Sequence, residues 1–142
     1  MQGKYYVATT LDNADQAQLV ISKLEKFGHE VTYDWTTHGK IDVKDQETIK
    51  IAKEVAKKEL QGVMDADVLI VLYPGGGGTH IEFGAALALN KPIIFVAPPI
   101  GEIREVAFYN HPSVLRFVTI NRAVEIAHKH LSQFEEITSK YE

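Results

Sequence analysis

The residues best equipped for chemistry stand together in Tyr73-Pro74-Gly75-Gly76-Gly77-Gly78-Thr79-His80-Ile81-Glu82-Phe83-Gly84. A glycine run between an apolar stretch and a helical one lets backbone N–H groups converge on an anion, and glycine admits positive φ there. Neither familiar phosphate signature fits. A Walker loop needs Gly-Lys-Ser/Thr where this chain has Gly-Thr-His, and the dinucleotide pattern would end on His80 or Ile81 instead of glycine. Glu82 is the carboxylate of the segment, and two readings of it stand side by side. Thr79-His80-Ile81-Glu82 has capping-box spacing, with Thr79 as N-cap and Glu82 reaching back to its amide. Alternatively, a carboxylate near a helix N-terminus is favoured as the anion, and beside a sugar it can stabilise an oxocarbenium-like transition state or attack the anomeric carbon. One rotamer cannot fill both roles.

These residues need elements to hold them. Tyr5 to Thr10 is rich in β-formers and predicts a first strand. Ala14, Ala17, Val20, Ile21, Leu24 and Phe27 recur at helical spacing, closed by Gly28. His29 to Trp35 predicts a second strand, and Thr36 to Lys44 a polar loop. A helix follows over 45–64, with Ile49, Ala52, Val55, Ala56, Leu60 and Val63 as its apolar stripe. Asp67 to Tyr73 is apolar almost throughout, as a parallel strand covered on both faces should be. Beyond the glycines come a helix over 79–89, a strand over 92–97, an ambiguous stretch over 100–110, a strand over 114–120 and a terminal amphipathic helix over 122–138. Such alternation implies an α/β fold, a flavodoxin-like, doubly wound, five-stranded parallel sheet in three αβα layers, formed as one domain over 1–142. Ligands in such folds sit at the carboxyl ends of the strands, where strand order reverses.

Composition narrows the class. A net charge of −4 is the wrong sign for a non-specific nucleic-acid binder. The absence of cysteine excludes a disulfide scaffold, a thiol nucleophile and a Cys-ligated metal. His128 and His130, two apart, fall on different helix faces, and His29, His38, His80 and His111 are dispersed, so no metal site is expected. No apolar run approaches a membrane span and no signal-peptide pattern opens the chain, so a cytoplasmic protein without membrane or nucleic-acid partners is the expectation.

The glycine-loop segment, continuing as Glu82-Phe83-Gly84-Ala85-Ala86-Leu87-Ala88-Leu89-Asn90-Lys91-Pro92-Ile93, resembles the nucleoside 2-deoxyribosyltransferase-like superfamily, as does the opening Tyr5-Tyr6-Val7-Ala8-Thr9. That superfamily includes the deoxyribosyltransferases and the deoxynucleoside monophosphate N-glycosidases. The resemblance implies cleavage or transfer of an N-glycosidic bond in a (deoxy)nucleoside or nucleotide, without a cofactor. It implies Glu82 as nucleophile on C1′, with Tyr5 as the first-strand tyrosine whose hydroxyl orients it. It implies Glu59, eight residues before Asp67, at a position where the family usually carries an Asp that serves the base. Thr9 matches a small polar residue at the end of the first strand. Gly76 stands where the monophosphate hydrolases carry a phosphate-binding serine, and no arginine lies near Thr9. Family members are homo-oligomers with shared sites, and a neighbouring subunit lends an Asn or Ser from about the region of Asn110.

A second resemblance is carried by Pro74-Gly75-Gly76-Gly77-Gly78-Thr79-His80-Ile81-Glu82, which is similar to the P-G-G-x-G-T-x-x-E signature of the "lonely guy" phosphoribohydrolases. Those chains are longer and carry a Pro-Arg-Ser-Met stretch absent here. Both resemblances make Glu82 the chemical residue. Gly76, Gly77, Gly78 and Thr79 would wall the site. Trp35 could stack on a nucleobase or pack in the core, and Asp34 could bind a ligand or cap a turn. The competing function is a non-catalytic nucleotide or anion sensor, in which the same loop binds phosphate and Glu82 only caps its helix.

Overall fold

The computed structural model describes residues 2–129. Five parallel strands form one sheet: β1 (Lys4–Ala8), β2 (Glu30–Val31), β3 (Val68–Leu72), β4 (Ile93–Val96) and β5 (Val114–Phe117), in the order β2-β1-β3-β4-β5. Helices α1 (Ala14–Lys26) and α4 (Ile120–Lys129) pack together on one face, and α2 (Gln46–Asp65) and α3 (Gly77–Ala88) on the other. This is the three-layer, doubly wound arrangement that the alternation of elements implied. The chain steps outward from β1 to β2, then returns past β1 to β3. The reversal leaves a crevice between the carboxyl ends of β1 and β3, paired through Ala8 and Val71.

The central strands are buried from end to end, which is why they read as unbroken apolar runs. Gly28 follows α1 at φ 83°, where a residue without Cβ is at ease. Asp45 caps α2 by accepting from the Thr48 amide at 2.8 Å.

Two expectations are corrected and one ambiguous stretch is resolved. The second strand is only two residues long, because at Asp34 the chain turns into a 3-10 turn over Trp35–Thr37. Asp34 accepts from the Thr36 amide at 3.0 Å and from its hydroxyl, so the side chain that ends the strand is itself the cap of the turn. The stretch 100–110 forms a 3-10 turn over Ala107–Asn110. The final helix begins at Ile120, two residues early, with the Arg122 amide donating to Thr119 Oγ1. The remainder of that expected helix, together with His130, lies outside the described residues. Among the described residues no helix is long and apolar enough to cross a membrane.

Candidate active site

Helix α3 starts at Gly77, not at Thr79. The start is earlier because Gly76, in extended backbone, serves as N-cap, and Thr79 at the third helical position accepts the Gly76 amide at 3.1 Å. Thr79 therefore performs the reciprocal half of a capping box, the role the T-x-x-E spacing offered to Glu82. Glu82 falls at the sixth helical position, in the second turn, beyond reach of the cap and of most of the helix dipole. None of the four consecutive glycines adopts positive φ. A Cβ on Gly77 or Gly78 would meet nothing within 4 Å, whereas one on Gly75 would stand 3.0 Å from His80 Cε1.

Glu82 is 8% exposed and points into the sheet, where the Tyr6 hydroxyl donates to its Oε2 at 2.5 Å. The first-strand tyrosine that orients this carboxylate is thus Tyr6, and the expectation for Tyr5 is corrected. Successive strand residues face opposite layers. Tyr5 turns toward α1 and α4 and donates to the Ala127 carbonyl at 2.9 Å. Tyr6 turns toward α2 and α3, and its ring lies against Gly62 of α2. A Cβ at Gly62 would stand 2.8 Å from Tyr6 Cδ2 and 2.9 Å from Tyr33 Cβ. Gly62 is a positioning residue that the sequence reading missed. An isolated glycine inside a helical pattern was the available signal.

A cavity of about 420 Å³ opens beside Glu82, within the size range of small-molecule sites (roughly 300–1,000 Å³). Its wall includes Thr9, Trp35, Glu59, Gly78, Thr79 and Glu82, so the chain brings together six of the residues singled out from sequence. Leu11, His38, Gly39, Lys40, Ile41 and Val55 line the rest, none of them assigned to the site from sequence; the loop over 38–41 has no periodicity to betray it. Thr9 Oγ1 donates to the Pro74 carbonyl and accepts from Asn13 Nδ2, both at 3.1 Å, which ties the end of β1 to the glycine loop.

The remaining expected positions fall elsewhere. Gly76 and Gly77 are not part of the wall, since capping and helix geometry turn them away. Asp34 is spent on its turn. Trp35 is 5% exposed and its indole N–H donates to the Val7 carbonyl at 2.6 Å, so it forms a fixed floor, not a free platform at the rim. Asn110 is exposed and donates to Glu105 at 3.2 Å, and this chain does not bring it to its own cavity.

Burial pushes the Glu82 carboxyl up to about 8; the Tyr6 hydrogen bond opposes this, and the charge of Glu59 adds to it. Burial also raises Glu59, with His38 and Tyr6 pulling the other way. Tyr6 itself is raised, by burial first and then by the Glu82 charge. Two carboxyls and one phenol thus share a small, poorly solvated space in which a proton is readily retained. Among the described residues no group of three or more His, Asp or Glu side chains could hold a metal ion. His29 and His128 do meet, Nε2 to Nδ1 at 3.0 Å.

A family pattern described as nucleoside 2-deoxyribosyltransferase matches residues 5–131. The chain belongs to that family. The match makes this deoxyribosyltransferase-family chain an enzyme of that kind. A search of curated protein sequences finds no match. Among solved structures, a 2-deoxyribosyltransferase from Bacillus psychrosaccharolyticus superposes with a TM-score of 0.64 at 22% identity, over 92% of this chain and 95% of that one. A CMP N-glycosidase from Clostridium botulinum gives 0.57 at 18% identity, over 86% of this chain and 96% of that one. At these identities the likeness establishes the shared fold.

Proposed function

We propose that this deoxyribosyltransferase-family enzyme cleaves or transfers the N-glycosidic bond of a (deoxy)nucleoside or nucleotide through a covalent glycosyl–Glu82 intermediate. One observation carries the reading. Glu82 is buried, is held by Tyr6, does not cap its helix, and lines a nucleoside-sized cavity at the strand-order reversal. The sensor reading needed Glu82 as a cap, and Thr79 fills that place.

In the first step the ionised Glu82 carboxylate attacks C1′, the C1′–N bond breaks, and its electron pair leaves with the base. Glu59, whose hold on a proton burial strengthens, supplies the proton that the departing base takes up. Glu59 then accepts a proton from water, whose oxygen attacks C1′ and releases Glu82 with the free sugar. When a second base attacks instead, the outcome is transfer. The Tyr6 hydrogen bond stabilises the carboxylate before attack and after release. No metal or redox group is needed for this sequence of bonds. Thr9, Gly78 and Thr79 flank the sugar. Amides in the first turn of α3, which have no acceptor within the helix, can meet an anionic group on the substrate, since no serine or arginine side chain serves there. Asn110 serves a site only across a subunit interface, in a homo-oligomer.

The test is release of free base, followed chromatographically over a panel of deoxynucleosides and their 5′-monophosphates. Glu82→Gln should abolish it for every accepted substrate while the circular dichroism spectrum stays unchanged. Undiminished turnover in that variant ends the mechanism.

A further inference from the structure

His80 stands at the glycine loop without a part in the chemistry described so far, and its ring bridges that loop to the 3-10 turn before β5. Its Nδ1 lies 2.7 Å from the Gly76 carbonyl, which can only accept, so Nδ1 carries the proton. Nε2 is then the acceptor, and the Tyr109 hydroxyl donates to it at 2.7 Å. Tyr109 is buried against Phe83 and Phe95, so the far end of the bridge is anchored in the core. At the near end the Gly76 carbonyl accepts twice, from the His80 backbone amide at 3.0 Å and from its ring. The ring also closes on Gly75, where a Cβ would stand 3.0 Å from His80 Cε1. From Gly76 the path to the cavity is short. The Gly76 amide donates to Thr79 Oγ1 at 3.1 Å, and Gly78 and Thr79 stand in the wall with Glu82. Glycine has more backbone freedom to lose than any other residue, so a run of four needs fixing before it can serve as the edge of a binding site.

We infer that His80 is a positioning residue for substrate binding: its imidazole, held by Tyr109, fixes the Gly76 peptide and through it the part of the cavity wall formed by Gly78 and Thr79. The inference rests on the reading of this cavity as a nucleoside site. Tyr109 has a defined share in it. By giving its proton to Nε2, it keeps the ring proton on Nδ1, the tautomer that the Gly76 carbonyl needs. Glu82 is held separately, by Tyr6 on β1. Loss of the bridge therefore leaves the attacking carboxylate in place and makes ordering of the loop part of the cost of binding. A loss of that kind raises KM and spares kcat.

Two measurements test this, one of them without substrate. In base-release kinetics His80→Ala should raise KM by roughly two- to ten-fold, the worth of one hydrogen bond, with kcat within about two-fold and the ascending limb of the pH profile unmoved. Asparagine places an amide nitrogen near the position of Nδ1, and glutamine near that of Nε2. His80→Asn should therefore recover most of the loss and His80→Gln little of it. Tyr109→Phe, which keeps the ring contacts with Phe83 and Phe95, should fall between. In the ligand-free protein the backbone nitrogen-15 order parameters of Gly76, Gly77 and Gly78 should drop in His80→Ala and hold in His80→Asn. An unchanged KM in His80→Ala overturns the inference, whatever the order parameters do, because the wall then works without the bridge. A raised KM with unchanged order parameters also overturns it, since His80 would then touch the substrate itself. So does a fall in kcat with a displaced pH limb, which would place the action of His80 on Glu82. Order parameters that drop as expected, in a protein that releases no base from any nucleoside, uphold the bridge and reject the glycosidic mechanism.

Discussion

Replacing Tyr6 by Phe removes one hydroxyl and leaves the ring in its seat against Gly62. The lost contact is the 2.5 Å hydrogen bond to Glu82 Oε2, inside the sheet. A hydrogen bond to a charged group is worth about 1.5–3 kcal/mol, and one pH unit corresponds to about 1.4 kcal/mol, so the Glu82 carboxyl should rise by about one to two further pH units. In the wild type that group is already pushed up to about 8, so at neutral pH roughly a tenth of it is ionised. In the proposed mechanism only the ionised form attacks, so Tyr6→Phe should lower kcat/KM at pH 7 by about ten- to a hundred-fold. The ascending limb of the pH profile should shift to alkaline pH by the same amount, and the deficit should shrink where both proteins are ionised. The assay is base release across the neutral and alkaline range. Tyr5→Phe is the control: it breaks the bond to the Ala127 carbonyl on the opposite face, costs about 1 kcal/mol of stability, and leaves the limb in place. A Tyr6→Phe profile that superimposes on the wild type would refute the claim that this phenol sets the ionisation of Glu82. So would a Tyr5→Phe profile that shifts instead.

Two further outcomes follow from the same geometry. The folded protein holds the Glu82 proton more tightly than the unfolded chain does, so Glu82 contributes stability below its ordinary value of 4.5, and this is lost as pH rises toward about 8. Glu82→Gln should abolish that loss, so melting curves should show a gain in Tm over wild type that is small in acid and widest in alkali; parallel Tm profiles would contradict the buried carboxyl. At Gly62, alanine gains about 1 kcal/mol of helix propensity but sets a methyl within 2.8 Å of Tyr6 Cδ2, and overpacking of this kind costs about 1–3 kcal/mol. Gly62→Ala should therefore lower Tm and activity together, whereas Gly84→Ala, whose Cβ meets nothing within 4 Å, should raise Tm.

The fold was legible because burial on both faces leaves β3 and β4 little room for polar residues, and because helical periodicity survives in α1 and α2. The end of β2 was not legible: Asp34 and Trp35 carry strand-like neighbours, and the chain is turned by the hydrogen bonds that the Thr36 amide and hydroxyl donate to Asp34. Glu82 was legible as a residue type in a telling place but not as a geometry, since the T-x-x-E spacing fits a capping box that begins two residues later than the real helix. The Tyr5–Tyr6 pair shows where sequence reasoning has to wait for coordinates. Both are tyrosines and both are fully buried, and both hydroxyls find partners. Alternation guarantees that only one of them faces α3, but it does not say which, because the pattern is the same after a shift of one residue. The parity is fixed by what lies across the sheet. Gly62 on α2 leaves space for a ring on the Tyr6 side, and the Ala127 carbonyl on α4 receives the hydroxyl on the Tyr5 side. The hydrogen bond that opposes the effect of burial on Glu82 is therefore seated by a glycine on a different helix, twenty residues upstream, which makes no contact of its own with the cavity.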